Sequence, residues 1–293
     1  MGAAASKSIG LVALVDVAIQ FACWALAAAL QTEKFYDISG SLTYILCVLL
    51  SLRRGKAGIR QKVNSSLVIA WAVRLGSFLL WRVIRDGGDG RFDKVKTKPG
   101  LFAVYWAIQA LWILLTALPV YTLNAKAGSD KLSDAAAEKR SAEQQQQQQQ
   151  QMALPAPRRV PTSSLGWRDA AGWALWGLGF TLQVVADAQK SRFKGDKANA
   201  GKWIDVGLWG LAQHPNYFGE MCMWWGIFLS CSAELRGLEL LSGVSPLFVS
   251  YLLLRVSGVP LLRKAGLKKW GHLPTYQEYL RRTPLLLPLP RLA

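Results

Sequence analysis

An all-α, multi-pass transmembrane bundle is the fold class this sequence predicts, and three observations lead to it. Hydrophobic residues make up 52% of the 293, and mean hydropathy is positive. They are gathered into long runs with few charges instead of being spread as a soluble core would need. The net charge of +17 sits in the connections between those runs. A segment inside a bilayer has to satisfy its own backbone, so spans of this composition are helices.

The runs are Ile9–Leu30, Ile38–Leu52, Leu67–Ile84, Leu101–Leu123, Leu165–Asp187, Tyr217–Ser232 and Leu238–Leu262. They predict about seven spans across a hydrocarbon core of about 30 Å, with the second and sixth short for it. The first run lacks a strongly basic start and is long for a signal peptide's apolar core, so it is read as a span. Ahead of it, MGAAASKS fits an N-myristoylation pattern at Gly2 with Ser6. A small, Ala-rich, unstructured start is the plainer reading. The two halves expected are 1–123, with about four spans, and 165–293. Between them 124–164 holds a run of glutamines and PAPRRVPTSS, a composition that buries too little apolar area to fold alone.

Basic residues crowd Arg53–Lys62, Arg85–Lys98, Lys190–Lys202 and Arg263–Arg282. Because these clusters flank apolar spans, their expected partners are membrane lipids with anionic head groups and a phosphorylated cofactor, not nucleic acid. With seven spans, the slight excess of Lys and Arg on one side puts the C-terminus in the cytosol. That leaves the N-terminus outside, whereas myristoylation needs it inside. Both hold only for an even span count. Cys23, Cys47, Cys222 and Cys231 all lie in apolar runs without metal-ligand spacing. They read as small buried hydrophobes, and no metal is expected.

The stretch GLWGLAQHPNYFGE, Gly207 to Glu220, carries the densest chemistry. Pro215 can open a helix, and from there Asn216, Glu220, Met223 and Ile227 share one stripe. Ionisable groups at the mouth of an apolar helix are functional candidates by default. For Glu220 the natural counter-ion is Arg74, with Asp16 and Asp187 as competitors, and a structural buried pair is the plain alternative. His214 reads as either a hydrogen-bonding residue or an acid–base group. Upstream, Gln183, Asp187, Lys190 and Lys194 share a stripe with Arg192 beside it, a seat for phosphate oxygens. Snorkelling side chains at a membrane boundary would show the same pattern. Trp209 and Tyr217 offer flat faces for a base or nicotinamide ring, or form an interfacial aromatic belt. In the tail, Tyr276 and Tyr279 share a face and precede Arg281 and Arg282. They could close over a cofactor or lie on anionic lipid.

In this order ADAQKSRFK, GLWGLAQHPNYFGEMCMWWGIFL and SGVPLLRK…WGHLPTYQEYLRRTPLLLP resemble the C-terminal half of the steroid 5-alpha-reductase superfamily. The DUF1295 branch, with AVRLGSFLLWRVIRDGGDGRFDKVK in the first half, is the nearest likeness. The resemblance implies a seven-span bundle in which NADPH enters from the cytosolic side and reduces a double bond of a lipophilic substrate. It implies cofactor contacts at Asp187, Gln189, Lys190, Lys194, His214, Asn216, Tyr217, Glu220, Tyr279 and Arg282. Tyr217 and Glu220 are the candidates for the reacting end. The endoplasmic reticulum is the membrane expected for this superfamily.

Three positions depart from the family pattern. Gln213 stands where the superfamily usually has Arg before His-Pro, and Arg263 where the branch often has an acid. Leu79 falls near the position of the steroid reductases' first-half Tyr, and no first-half Glu matches theirs. The alternatives to a reductase are an S-adenosylmethionine-dependent enzyme like the isoprenylcysteine carboxyl methyltransferases, which share HPxYxG, and a non-catalytic membrane scaffold.

Overall fold

The computed structural model describes residues 3–54, 58–126 and 164–286, and among these it contains helices and turns but no strand. Gly2 and most of the Gln-rich segment lie outside the described residues. The chain divides into two compact units. One is Met1–Gly166 with Cys231–Ser242; the other is Trp167–Ser230 with Gly243–Ala293.

The first unit contains α1 (Ala3–Ala29), α2 (Tyr36–Arg53), α3 (Ile59–Asp86), α4 (Pro99–Thr116) and α5 (118–126). α2 packs against α1, α3 and α4, and α1 also packs against α4. α1 stops where Gln31 turns left-handed at φ 48°, and the Thr32 N–H reaches back to the Ala27 carbonyl at 3.0 Å. That is the six-to-one bond of a helix C-cap. α3 stops at Gly87, with φ 80°, a conformation glycine adopts without penalty. The loop that follows is pinned by Phe92, which packs with Ala27, Val95, Phe102 and Trp106. Tyr36 adds its ring at 4.7 Å from Phe92, and its hydroxyl donates to the Tyr105 carbonyl at 2.9 Å.

The interior of this unit is not purely apolar. On α2, Ser39, Thr43, Cys47 and Ser51 recur every fourth residue, and all four are buried. That periodicity puts them on one face. The Gln20 amide donates to Thr43 Oγ1 at 3.0 Å, and the Gln109 amide donates to Gln20 Oε1 and to the Tyr36 carbonyl, both at 3.1 Å. Further along α2, the Asn124 amide donates to the hydroxyls of Ser51 and Ser65 at 2.9 and 3.1 Å. The segment Cys231–Ser242 joins this unit through charge. Glu234 accepts from Arg60 and, at 2.9 Å, from Gln61, while Glu239 pairs with Lys126 at 3.0 Å.

The second unit contains α6 (Trp167–Gly195), α7 (Leu208–Leu211), α8 (Pro215–Cys231), α9 (Val244–Tyr251), α10 (Val259–Trp270) and α11 (Pro274–Arg282). A π-helical turn, Leu252–Val256, and a bend at Gly258 separate α9 from α10. α11 buries Tyr276 and Tyr279 and exposes Glu278, Arg281 and Arg282.

Among the described residues, four helical stretches are long and apolar enough to cross a membrane: Ala5–Ala29, Ile59–Asp86, Pro99–Thr116 and Gly237–Trp270. These mark a membrane protein. Four of the seven expected runs meet this measure, and the other three fall short of it for physical reasons. α8 has 17 residues, at about 1.5 Å each just under the hydrocarbon thickness. α2, with 18 residues as long as Pro99–Thr116, spends one face on small polar side chains. α6 has ample length at 29 residues but carries charges near both ends. The expected run Leu101–Leu123 is two helices, since α4 ends at Thr116 and α5 begins after Ala117.

Candidate functional site

Backbone contact between α6 and α8 sets the frame of the site. A Cβ on Gly172 would fall 2.5 Å from the Gly226 carbonyl oxygen, and one on Gly219 would fall 2.5 Å from that of Gly179. The pairs 172–226 and 179–219 run in opposite directions, so the two helices are antiparallel and meet at two points seven residues apart on each. No side chain larger than hydrogen fits at these crossings. Between Asp169 and Ser230 a buried hydrogen bond of 2.9 Å continues the same register.

Beyond the second crossing the polar residues take over. Glu220, buried on α8, accepts from Gln183 of α6 and from the indole N–H of Trp224 at 2.8 Å. One turn nearer the start of α8, the Asn216 amide donates to Asp187 Oδ1 at 3.1 Å. Gln189 accepts from the Leu208 N–H at 2.9 Å. This is possible because Gly207 stands at φ 61°, with the Gln189 amide where a Cβ would be. Trp209 is buried, with its indole donating to the Ala186 carbonyl at 2.9 Å and the Lys190 ammonium 4.5 Å from its ring centre. The face expected to be free for a cofactor ring is therefore under a lysine.

The electrostatics are only partly compensated. Burial, then the charge of Lys194, pushes the Lys190 pKa down to about 8 against a smaller pull from Asp187. Lys190 forms no ion pair among the described residues. Burial, followed by the charges of Lys190 and Arg263, pushes His214 down to about 4, so its imidazole is neutral at physiological pH. The ring stacks on Tyr217 at 5.3 Å and 17°, and its buried Nδ1 has no hydrogen-bond partner among the described residues. A cleft of about 380 Å³ is lined by Gln189, Arg192, Phe193, Asp196, Asn199, Val206 and Gly207, so that of the expected cofactor contacts only Gln189 borders it.

The family model described as "Protein of unknown function (DUF1295)" matches residues 23–138 and 148–283. The chain belongs to this family. Neither a curated protein nor a solved structure matches it.

The second matched stretch of this DUF1295 protein contains the whole site, from Asp187 to Arg282. Asp187 and Asn216 are in direct contact, as are the rings of His214 and Tyr217, while Gln189 and Lys190 border α7. Lys194 and Arg282 are exposed. Tyr279 is buried and its hydroxyl is committed to the Trp209 carbonyl at 2.9 Å. Gln213 has a role that was not legible in the sequence. Its amide donates to the carbonyls of Leu280 at 2.9 Å and Thr283 at 2.6 Å, and its backbone N–H donates to Pro284 at 2.8 Å. The His214 N–H donates to Leu285 at 3.1 Å. Where the expected Arg would bring a charge, this glutamine fastens the tail to the His-Pro motif.

Proposed function

We propose that this chain is an NADPH-dependent membrane reductase acting on a carbon–carbon double bond of a lipid or steroid-like substrate. One observation carries the reading. Lys190 is a half-buried cation with no ion pair among the described residues, only partly offset by the charge of Asp187, and it stands beside Lys194 with Arg263 acting on the same histidine. Holding a cation partly out of water and short of counter-charge is costly, and phosphate oxygens supply the missing charge and acceptors. The same charges count against S-adenosylmethionine, which has no phosphate.

In this reading Lys190, Lys194 and Arg282 hold phosphate groups, with Arg192 at the cleft. Gln189, the Asp187–Asn216 pair, His214 and Tyr279 order the remainder of the dinucleotide. When bound, the reduced nicotinamide supplies the hydride. Tyr217 and Glu220 stand toward the reacting end, and Gln183 and Trp224 fix the Glu220 carboxylate in one orientation. The chain is expected to cross the endoplasmic reticulum membrane about seven times, each crossing needing roughly 20 apolar residues, with its C-terminus in the cytosol.

Titration of the purified protein with NADPH tests this. A lysine lost from a charged hydrogen bond costs about 1.5–3 kcal/mol, so Lys190→Ala and Lys194→Ala should each weaken binding roughly tenfold to a hundredfold. Glu220→Gln retains shape and removes charge, and a loss there places the carboxylate among the dinucleotide contacts. Tight binding by the wild type that all three variants share would move the cofactor elsewhere. Folded wild type that ignores NADPH would end the reductase reading.

A further inference from the structure

We propose that the interior of the first unit contains a proton-binding site centred on the carboxyl group of Asp16. Asp16 lies near the middle of α1, within the candidate span Ala5–Ala29, and is 0% exposed. Neither carboxyl oxygen has a hydrogen-bond partner among the described residues. Asp16 forms no ion pair among the described residues. An ionised carboxylate so placed lacks both counter-charge and donors, which is among the most expensive arrangements a protein interior can contain. A bound cation has to neutralise it. No group of three or more His, Cys, Asp or Glu that could hold a metal occurs among the described residues, which leaves the proton.

The surroundings are built to receive one. Tyr121 of α5 is 1% exposed, and its hydroxyl also has no partner among the described residues. Asp16, Cys47 and Tyr44 all act electrostatically on Tyr121. The Cys47 thiol sits 3.9 Å from the carbonyl of Val12, one turn before Asp16 on α1. These are the titratable groups that α2 and α5 turn toward it. Tyr105 is the sole titratable residue of α4. None of them is basic.

Asp16 also stands between two hydrogen-bonded rungs. Gln20, four residues on, bonds Thr43, which is four residues before Cys47. On the other side Ser51, four residues after Cys47, bonds Asn124, three residues after Tyr121. A fourth-residue repeat stacks side chains one turn apart on a helix. Polar groups therefore continue in both directions from the acid, and ionisable residues set in such intramembrane polar series are the usual carriers of protons. The Asp16 carboxyl takes up a proton to become the neutral acid and returns it to the same series. No bond other than O–H is made or broken.

Infrared spectroscopy of the purified full-length protein decides the matter. At neutral pH exposed carboxyls are ionised, so a carbonyl stretch from an un-ionised carboxylic acid reports a buried, proton-bearing one. The wild type should show this band, Asp16→Asn should lose it, and transfer to heavy water should shift it. Tyr121→Phe, which removes the neighbouring hydroxyl, should displace it. If Asp16→Asn yields no folded protein, Asp16→Glu replaces it and should move the band. Identical spectra for wild type and Asp16 variants would overturn the proposal, because the acid would then be ionised. A band indifferent to heavy water would overturn it equally, because the proton would be sealed in.

Discussion

Lys190 makes the sharpest residue-level prediction. Its pKa, about 8 in the folded chain, lies below the ordinary lysine value of roughly 10.4. Between those values the unfolded chain holds a proton that the folded chain has lost. The residue therefore destabilises the fold fully below about pH 8, and that penalty fades as pH rises toward the unfolded value. Anion binding has the opposite sign, because phosphate selects the charged form. NADPH affinity, measured as Kd on either side of pH 8, should fall as pH climbs through the Lys190 pKa. Lys190→Arg, which stays charged throughout, should flatten that dependence. A wild-type Kd that is level across the range would detach the lysine from the anion. The stripe Asp187, Lys190 and Lys194 is legible in the sequence because charges three and four residues apart share a helix face. The pairing of Gln189 with Leu208 is not, because it depends on the positive φ of Gly207. Nor is the role of Gln213, whose partners lie 67 to 70 residues away.

At the scale of the helix, α6 and α8 are held by what they lack. Gly177 and Gly179 are neighbours on α6, yet a Cβ on Gly177 meets nothing within 4 Å, while one on Gly179 would run into Gly219. Gly177→Ala should leave stability unchanged or raise it by up to about 1 kcal/mol, the helix-propensity gain. Gly179→Ala should lower it by roughly 1–3 kcal/mol, the usual cost of overpacking. Thermal unfolding in detergent separates the two, and equal melting temperatures would remove the glycines from the helix–helix contact. The seven-residue spacing of Gly172 with Gly179 and of Gly219 with Gly226 is visible in the chain. A reading by hydropathy passes over it, because glycine scores near neutral. Small residues that let backbones approach are nevertheless the common currency of helix contact in membranes. The hydroxyl stripe of α2 was missed for a related reason. Ser and Thr at every fourth place dilute the apolar signal without breaking it, and the same stripe thins the evidence for a span.

For the whole molecule, composition and charge placement were enough to reach a helical membrane protein, and the motifs were enough to reach the DUF1295 family. The span count was not readable in the same way, since it depends on how far α2, α6 and α8 use their polar residues internally. The Gln-rich segment has a composition that cannot form a core, and lengthening or shortening a loop changes closure entropy only slightly. Deleting residues 129–151 should leave the protein monodisperse in detergent with its melting temperature unaltered; loss of folded material would show that the segment docks. In sealed microsomes, protease should remove a tag at the C-terminus. Protection of the tag until detergent is added would place that end, and the route for a nucleotide, on the other side.

The hold of Gln213 and His214 on Leu280, Thr283, Pro284 and Leu285 also bears on how the protein is made. When the ribosome adds Gln213, the carbonyl of Thr283 is still 70 codons ahead. At roughly 5–20 residues per second, the His-Pro turn waits several seconds with its donors turned to solvent or to whatever assists insertion. Completion of the site is thus a late event in biogenesis, and a pause or frameshift anywhere in that interval leaves the turn unfastened while the helices before it are already in place.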